Sequence, residues 1–316
     1  MGKEYAIAIE GLSFCYGEQN ALKNFSCNIE KGEIFALLGP NGGGKTTLFK
    51  ILSTLLPIQK GNVKILDLEL TKNPKEIRKF IGVVFQNPSI DLKLTVKENM
   101  THYGRLFNIR GKTLRKRIEQ NLEHFDLKDR QRELAENLSG GLRRRLELSK
   151  TLITEPKILL LDEPSTGLDP TIRIDFSTEL KRLQKENGTT IVFTTHHIEE
   201  AERCDRVGII HQGQLIAVGR PEELKKNIAQ DVVVKIETKN PKKLKEEVLK
   251  KFHLDSTVAT EYLIIHTSKN DESIHKFYES FSDQIQSITI SQPSLEDVFV
   301  QKTGYQFKDL EEESKE

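Results

Sequence analysis

Between Gly39 and Thr47 the chain reads GPNGGGKTT, three consecutive glycines running into a lysine and two hydroxyls. Glycine loses the most conformational freedom on ordering, so a run of glycines marks backbone that takes unusual dihedrals close to something. The stretch fits G-x-x-x-x-G-K-[ST]: Gly39, Pro40, Asn41, Gly42, Gly43 and Gly44 would form a loop whose backbone N–H groups converge on an anion, with a helix N-terminus adding partial positive charge. Side chains would block that approach. Lys45 then reaches the β and γ phosphates of a nucleoside triphosphate, Thr46 offers a hydroxyl to Mg²⁺, and Thr47 offers one to a neighbouring phosphate. Such a site also needs a carboxylate for the metal and one for the attacking water. LLLDE supplies both, Asp162 for the metal and Glu163 for the water. A second anion-binding pattern stands in NLSGG, where Ser139, Gly140 and Gly141 expose N–H groups and a hydroxyl at the start of a helical stretch.

The elements that must position these groups can be read from periodicity. IFALLG (34 to 39) predicts a strand entering the glycine loop, and TTLFKILSTLL (46 to 56) a helix leaving it and stopping before Pro57. KILLLDEP (157 to 164) and TTIVFTTHH (189 to 197) are short, apolar and β-branched, as strands buried on both faces are. Residues 5 to 220 therefore read as α/β, with strands and crossover helices around a mostly parallel sheet. Residues 95 to 150 form a charged, leucine-spaced helical insertion. After Gly219-Arg220-Pro221 the order strand, helix, two strands, helix, strand predicts a small α+β domain over 221 to 305, compatible with a ferredoxin-like βαββαβ unit, and 306 to 316 an acidic tail.

Composition excludes several classes. With 316 residues the chain has material for about two domains. Lysines and arginines number 48 against 47 acidic residues, so no global charge attracts a nucleic acid, and none is expected as partner. The basic positions Arg110, Lys112, Arg115, Lys116 and Arg117 lack interleaved aromatics and read as a solvated helix face. Cys15, Cys27 and Cys204 are scattered without metal or redox spacing, and read as reduced thiols. MGKEYA has no signal architecture, and no run approaches the ~18 apolar residues needed to cross a bilayer. The chain is expected in the cytosol, with any membrane-spanning part supplied by a partner.

The phosphate loop, LSGGLRRRLELSK (138 to 150), KILLLDEP, STGLDP (165 to 170) and TTHH (194 to 197), in this order, resemble the ATP-binding cassette ATPases. With IGVVFQNPSIDLKLTVKEN (81 to 99) and PSLEDVFVQKTG (293 to 304), the resemblance extends to the ATP-binding subunits of daunorubicin-resistance and nodulation-factor exporters. It implies a phosphate-loop cassette over residues 1 to 220, with a sheet core and a helical subdomain. It also implies an ATPase that uses ATP and Mg²⁺ and drives a membrane exporter. Tyr16, 23 residues before Gly39, would stack on adenine; Gln86 would touch Mg²⁺ beside the membrane-partner contact; His196 would contact the γ-phosphate and the water. Two cassettes would stack head to tail, with Ser139, Gly140, Gly141 and Asp169 of one meeting the ATP held by the other. The implied partners are a second cassette and an integral membrane permease, which would hold the chain on the inner face of the cell membrane. Gly43, where the family usually has Ala or Ser, and Leu142, where it commonly has a polar residue or Met, depart from the pattern. The other expectations are a soluble cassette acting on ribosomes or nucleic acid, and an importer subunit.

Overall fold

The computed structural model describes residues 4–227, 232–252, 254, 256–259, 262–267, 276 and 280–305. The chain opens with two long strands, β1 (Tyr5–Tyr16) and β2 (Gln19–Glu30), then β3 (Ile34–Leu38), α1 (Lys45–Leu52), β4 (Lys60–Ile65), β5 (Leu68–Glu69), α2 (Pro74–Ile77) and β6 (Ile81–Val84). The helical insertion follows as α3 (Val96–Leu106), α4 (Gly111–His124) and α5 (Gly140–Leu152). Strand β7 (Ile158–Leu161), α6 (Pro170–Asn187), β8 (Thr190–Thr195), α7 (Ile198–Ala201), β9 (Arg206–His211), β10 (Gln214–Gly219) and α8 (Pro221–Lys226) complete the larger part. The remainder is β11 (Val232–Glu237), α9 (Pro241–Phe252), β12 (Ser256–Ala259), β13 (Tyr262–Thr267), β14 (Ser287–Ser291) and α10 (Leu295–Thr303).

The central sheet has the order β10-β9-β3-β8-β7-β6, parallel throughout except for the edge strand β10. Every residue of β3, β7 and β8 is buried, as strands covered on both faces must be. Successive residues point to opposite faces, and the two faces feed two cores. Phe35, Leu37, Ile158, Leu160 and Val192 pack with α1 and with β1, β2 and β4. Ala36, Leu38, Leu159, Leu161, Ile191 and Phe193 pack with the helical insertion and α6.

The first of these cores rests on an element the sequence reading passed over. Strands β2-β1-β4-β5 form a separate antiparallel sheet, whose inner face carries Ile7, Ile9, Leu12 and Phe25. The period-two pattern of β1 is interrupted by register shifts between Ile9 and Leu12 and between Leu12 and Phe14, so the alternation does not run clean through the strand. Helix α1 starts at Lys45 and ends at Leu52, shorter than expected. Thr54 takes φ 65, a left-handed conformation that ends the helix.

The third sheet has the order β12-β13-β11-β14, with all neighbours antiparallel. Strand β13 lies between β11 and β12, the split arrangement of a βαββαβ unit. The helix expected over 271 to 282 and the acidic tail fall largely or wholly outside the described residues. A small core of Val234, Ile236, Leu244, Val248, Leu263, Ile265 and Phe281 lies beneath this sheet. Leu295, Val298, Phe299 and Val300 of α10 instead join the core shared with β9, where Phe299 meets His211 edge to face at 5.4 Å.

Candidate functional site

Strands β3, β8, β7 and β6 are neighbours in the sheet and run parallel, so the segments leaving their C-terminal ends converge at one edge. That crevice is where ligands bind in open parallel sheets. β3 delivers the glycine loop and Lys45; β8 delivers His196; β7 delivers Asp162 and Glu163; β6 leads to Gln86. Four groups far apart in sequence thus meet because four strands share one register direction.

The loop is held tightly from behind. A Cβ on Gly39 would stand 2.4 Å from the Ile210 carbonyl oxygen, and one on Gly44, at φ 102, would stand 2.5 Å from the Ala21 carbonyl oxygen. Only glycine fits at either position. The Gly213 N–H donates to the Gly43 carbonyl at 3.0 Å, so the β9–β10 turn braces the loop. Gly43 itself leaves 3.0 Å between an added Cβ and the Pro40 carbonyl oxygen, so glycine relieves a close approach there. Ala21, which abuts Gly44, lies in β2 just past the β1–β2 turn where Tyr16 pairs with Gln19. Tyr16 is 46% exposed, and its ring meets Phe14 edge to face at 5.0 Å.

Lys45 is 4% exposed. Its ammonium donates to the carbonyls of Gly39 at 2.8 Å and Pro40 at 3.1 Å, and stands 3.3 Å from Glu163 Oε1. The other carboxylate oxygen, Oε2, accepts from Thr166 Oγ1 at 3.1 Å and from Gln86 Nε2 at 3.4 Å, and lies 3.5 Å from His196 Nδ1. The backbone of Glu163 sits at φ 42, a left-handed conformation costly for a residue with a Cβ and held here by its surroundings. Burial pushes the Glu163 carboxyl up, but the neighbouring His196 and the charge of Lys45 outweigh it and hold the pKa at about 2.

Asp162 behaves oppositely. Burial raises its pKa, partly offset by the Thr194 hydroxyl, which donates to Oδ1 at 2.6 Å. The same Thr194 oxygen accepts from the Glu163 N–H at 2.9 Å, so one hydroxyl fixes both carboxylate positions. The sequence alone gives Thr194, within TTHH, no part in the site. Its signal was weak, because a threonine inside a β-branched strand is expected for packing alone.

A divalent cation fits this donor set. Thr46 at the start of α1, the Gln86 amide and Asp162 offer hard oxygen donors, and a nearby cation would offset the burial that disfavours the charge of Asp162. Among the described residues no group of three His, Cys, Asp or Glu side chains could hold a metal unaided. Phosphate oxygens would complete such a sphere.

Ser139, Gly140 and Asp169 are more open to solvent than Lys45, Asp162 and Glu163. Ser139 and Gly140 are exposed, and a Cβ on Gly140 would meet nothing within 4 Å. Ser139 caps α5, its hydroxyl accepting from the Leu142 N–H at 3.4 Å. Gly141 is buried, where a Cβ would press on Ile172 at 3.2 Å. Asp169 precedes α6, is exposed, and makes no side-chain cap. No helix among the described residues is long and apolar enough to cross a membrane.

Comparison with known proteins supplies the context for this geometry. The family profile described as "ABC transporter" matches residues 22–166. A daunorubicin resistance ATP-binding protein of Streptomyces coeruleorubidus is 34% identical over 324 aligned residues, which cover 97% of this chain and 98% of that protein. The Nod factor export ATP-binding protein I of Neorhizobium galegae is 34% identical, covering 95% of this chain and 85% of that protein. Among solved structures, a dimeric ATP-binding cassette in a post-hydrolysis state with ADP and Pi superposes with TM-score 0.61 at 28% identity. It covers 68% of this chain and 98% of its own.

Proposed function

The chain belongs to the ATP-binding cassette family of transporter ATPases, and from that premise we propose that it powers a membrane exporter by closing and reopening a pair of cassettes around ATP. Its family membership makes it an ATP-binding and ATP-hydrolysing subunit. The observation that carries the site reading is the cluster in which buried Glu163 touches buried Lys45 and the more exposed Gln86 and Thr166 at once.

The loop amides and Lys45 take the β and γ phosphates, and the exposed face of Tyr16 takes the adenine. Thr46, Gln86 and Asp162 would hold Mg²⁺, which neutralises charge developing on the phosphates when bound. Glu163 orients the attacking water and accepts its proton, with His196 beside it. A carboxylate at about 2 is a weak base, and its pairing with Lys45 is part of the cause. Phosphates give that ammonium a stronger anion, so nucleotide binding would loosen the Lys45–Glu163 contact while His196 stays beside the carboxylate.

Ser139, Gly140, Gly141 and Asp169 complete the partner's site rather than their own. In support, Ser139, Gly140 and Asp169 are exposed, and a dimeric cassette is a structural neighbour. Residues 1–220 act as the cassette and 221–305 as an appended α+β unit. The chain sits on the inner face of the cell membrane through a permease. A ribosome- or nucleic-acid-directed cassette is not favoured, since full-length relatives are named for drug resistance and Nod factor export. Co-expression with a multi-helix membrane protein encoded beside it tests the assignment. Co-purification from detergent-solubilised membranes, with ATPase activity that changes on reconstitution, is expected. A chain that stays in the soluble fraction and joins ribosomes instead would overturn it.

A further inference from the structure

The inner face of α5 carries three charged side chains, Arg144, Glu147 and Lys150, at spacings of three that place them on one side of the helix. All three are buried, at 7%, 0% and 4% exposure. Buried charges on a helix face are costly unless every lone pair and proton is used. Here their partners are backbone groups of the segments that carry the catalytic side chains.

The Arg144 guanidinium donates from Nε to the Pro164 carbonyl at 2.6 Å and from Nη1 to the Phe85 carbonyl at 2.8 Å. Nη1 also reaches Glu147 Oε2 at 2.6 Å, and Nη2 reaches the Glu163 carbonyl at 3.5 Å. Phe85 immediately precedes Gln86, and Pro164 immediately follows Glu163. Glu147 Oε1 accepts from the N–H and hydroxyl of Ser89, while Lys150 donates to the carbonyl and hydroxyl of the same serine. The segment around Gln86 is therefore gripped at Phe85 and Ser89, and the Glu163 turn at 163 and 164, by one helix.

We propose that Arg144 is a positioning residue for ATP hydrolysis. It touches no substrate; it fixes the backbone on either side of the Gln86–Glu163 contact, and Glu147 aligns it while holding Ser89. A left-handed φ at Glu163 needs such outside restraint, because the local backbone would otherwise relax. Arginine suits the task because its planar fork presents five donors in fixed directions, whereas a lysine ammonium is a point charge with three. The helix that offers Ser139 to a partner thus also sets the geometry of the chain's own carboxylate. This inference rests on the reading of Glu163 given above.

The test uses the full chain with Arg144→Lys, measuring kcat and KM for ATP, the thermal midpoint without nucleotide, and ATP-dependent dimerisation in a Glu163→Gln background. A positioning role predicts that kcat falls roughly 10- to 100-fold, as a misplacement near 1 Å can cause. KM should stay within about twofold, because the phosphate loop is untouched, and the dimer should still form. If Arg144→Lys does not fold, Glu147→Gln provides the same split with a smaller loss in kcat. A kcat within about threefold of wild type overturns the inference, as does joint loss of kcat, ATP affinity and dimerisation, which marks a general packing role. Glu163→Gln alone is the control. If it retains wild-type turnover, the reading of Glu163 fails; if it is inactive while Arg144→Lys is fully active, only the present inference falls.

Discussion

The two glycine-flanked helix starts of this chain, at α1 and at α5, are built from similar parts and differ in whether they are finished. At α1 the cation is buried and has a full set of partners: Lys45 binds two carbonyls of its own loop and faces Glu163. At α5 the serine and first glycine face solvent, and the hydroxyl caps its own helix. Arg143, in that first turn, is committed to the carbonyls of Ala135 and Glu136. One half-site is a closed cradle whose parts stabilise one another. The other leaves its serine and first glycine open to solvent, and in the reading proposed above it meets the ATP of a second chain. The difference teaches where mutations should be felt: in chemistry and folding at α1, and in association at α5.

The largest expected effect lies at the closed half-site. Glu163→Gln removes the proton acceptor while keeping the shape, so turnover should fall by about 10²- to 10⁴-fold with ATP binding retained. Steady-state hydrolysis and nucleotide binding measured on the same preparation check this; a loss under threefold would break the assignment. Next comes the base stack. Tyr16→Ala should weaken ATP binding by ~1–3 kcal/mol, between about fivefold and 150-fold in Kd, without lowering kcat at saturation. Unchanged affinity would place the adenine elsewhere.

Stability sharpens the contrast further. Lys45→Ala leaves Glu163 buried without its ammonium and should cost the nucleotide-free protein about 1–3 kcal/mol, while abolishing stabilisation by ATP. Ser139→Ala loses only an exposed helix cap, about 1 kcal/mol or less, and should leave binding of ATP to the isolated chain intact. Thermal melts with and without ATP separate the two. The same pairing gives a dependence on pH. The Glu163 carboxyl is depressed from an ordinary 4.5 to about 2, so the stability it contributes is fully present above about 4.5 and is lost as pH falls towards 2. The difference in melting temperature between wild type and Glu163→Gln should therefore shrink from pH 6 to pH 3; a constant difference would contradict the charge pairing.

What could be read from sequence follows from the same distinction between local and distant causes. The phosphate loop was legible because its requirement is local: Gly39 and Gly44 must be glycine for steric reasons whose trace is the glycine itself. The LLLDE strand end and the NLSGG helix start are patterns of the same local kind, whereas His196 is singled out only by the family resemblance. Thr194 was not, since its role arises only when β8 lies beside β7 and its hydroxyl meets Asp162. Arg144 stood inside a stretch quoted for its serine and glycines, yet its partners at 85, 163 and 164 are set by packing between elements. The antiparallel sheet of β1, β2 and β4 was hidden for another reason, because bulges break the alternation that would have announced it. In the third sheet the element order was readable, whereas the pairing of β11 with both β13 and β14 came only from tertiary structure.

The central claim is that the open half-site at α5 is completed by a second copy. Its most direct test is size-exclusion chromatography of Glu163→Gln protein with ATP at tens of micromolar, a concentration that compensates for the missing permease, which would otherwise hold two cassettes together. The account predicts a dimer that returns to monomer when Ser139→Arg is added, because arginine's bulk at an exposed, glycine-flanked junction blocks closure. A double mutant that remains dimeric with ATP would contradict the head-to-tail arrangement.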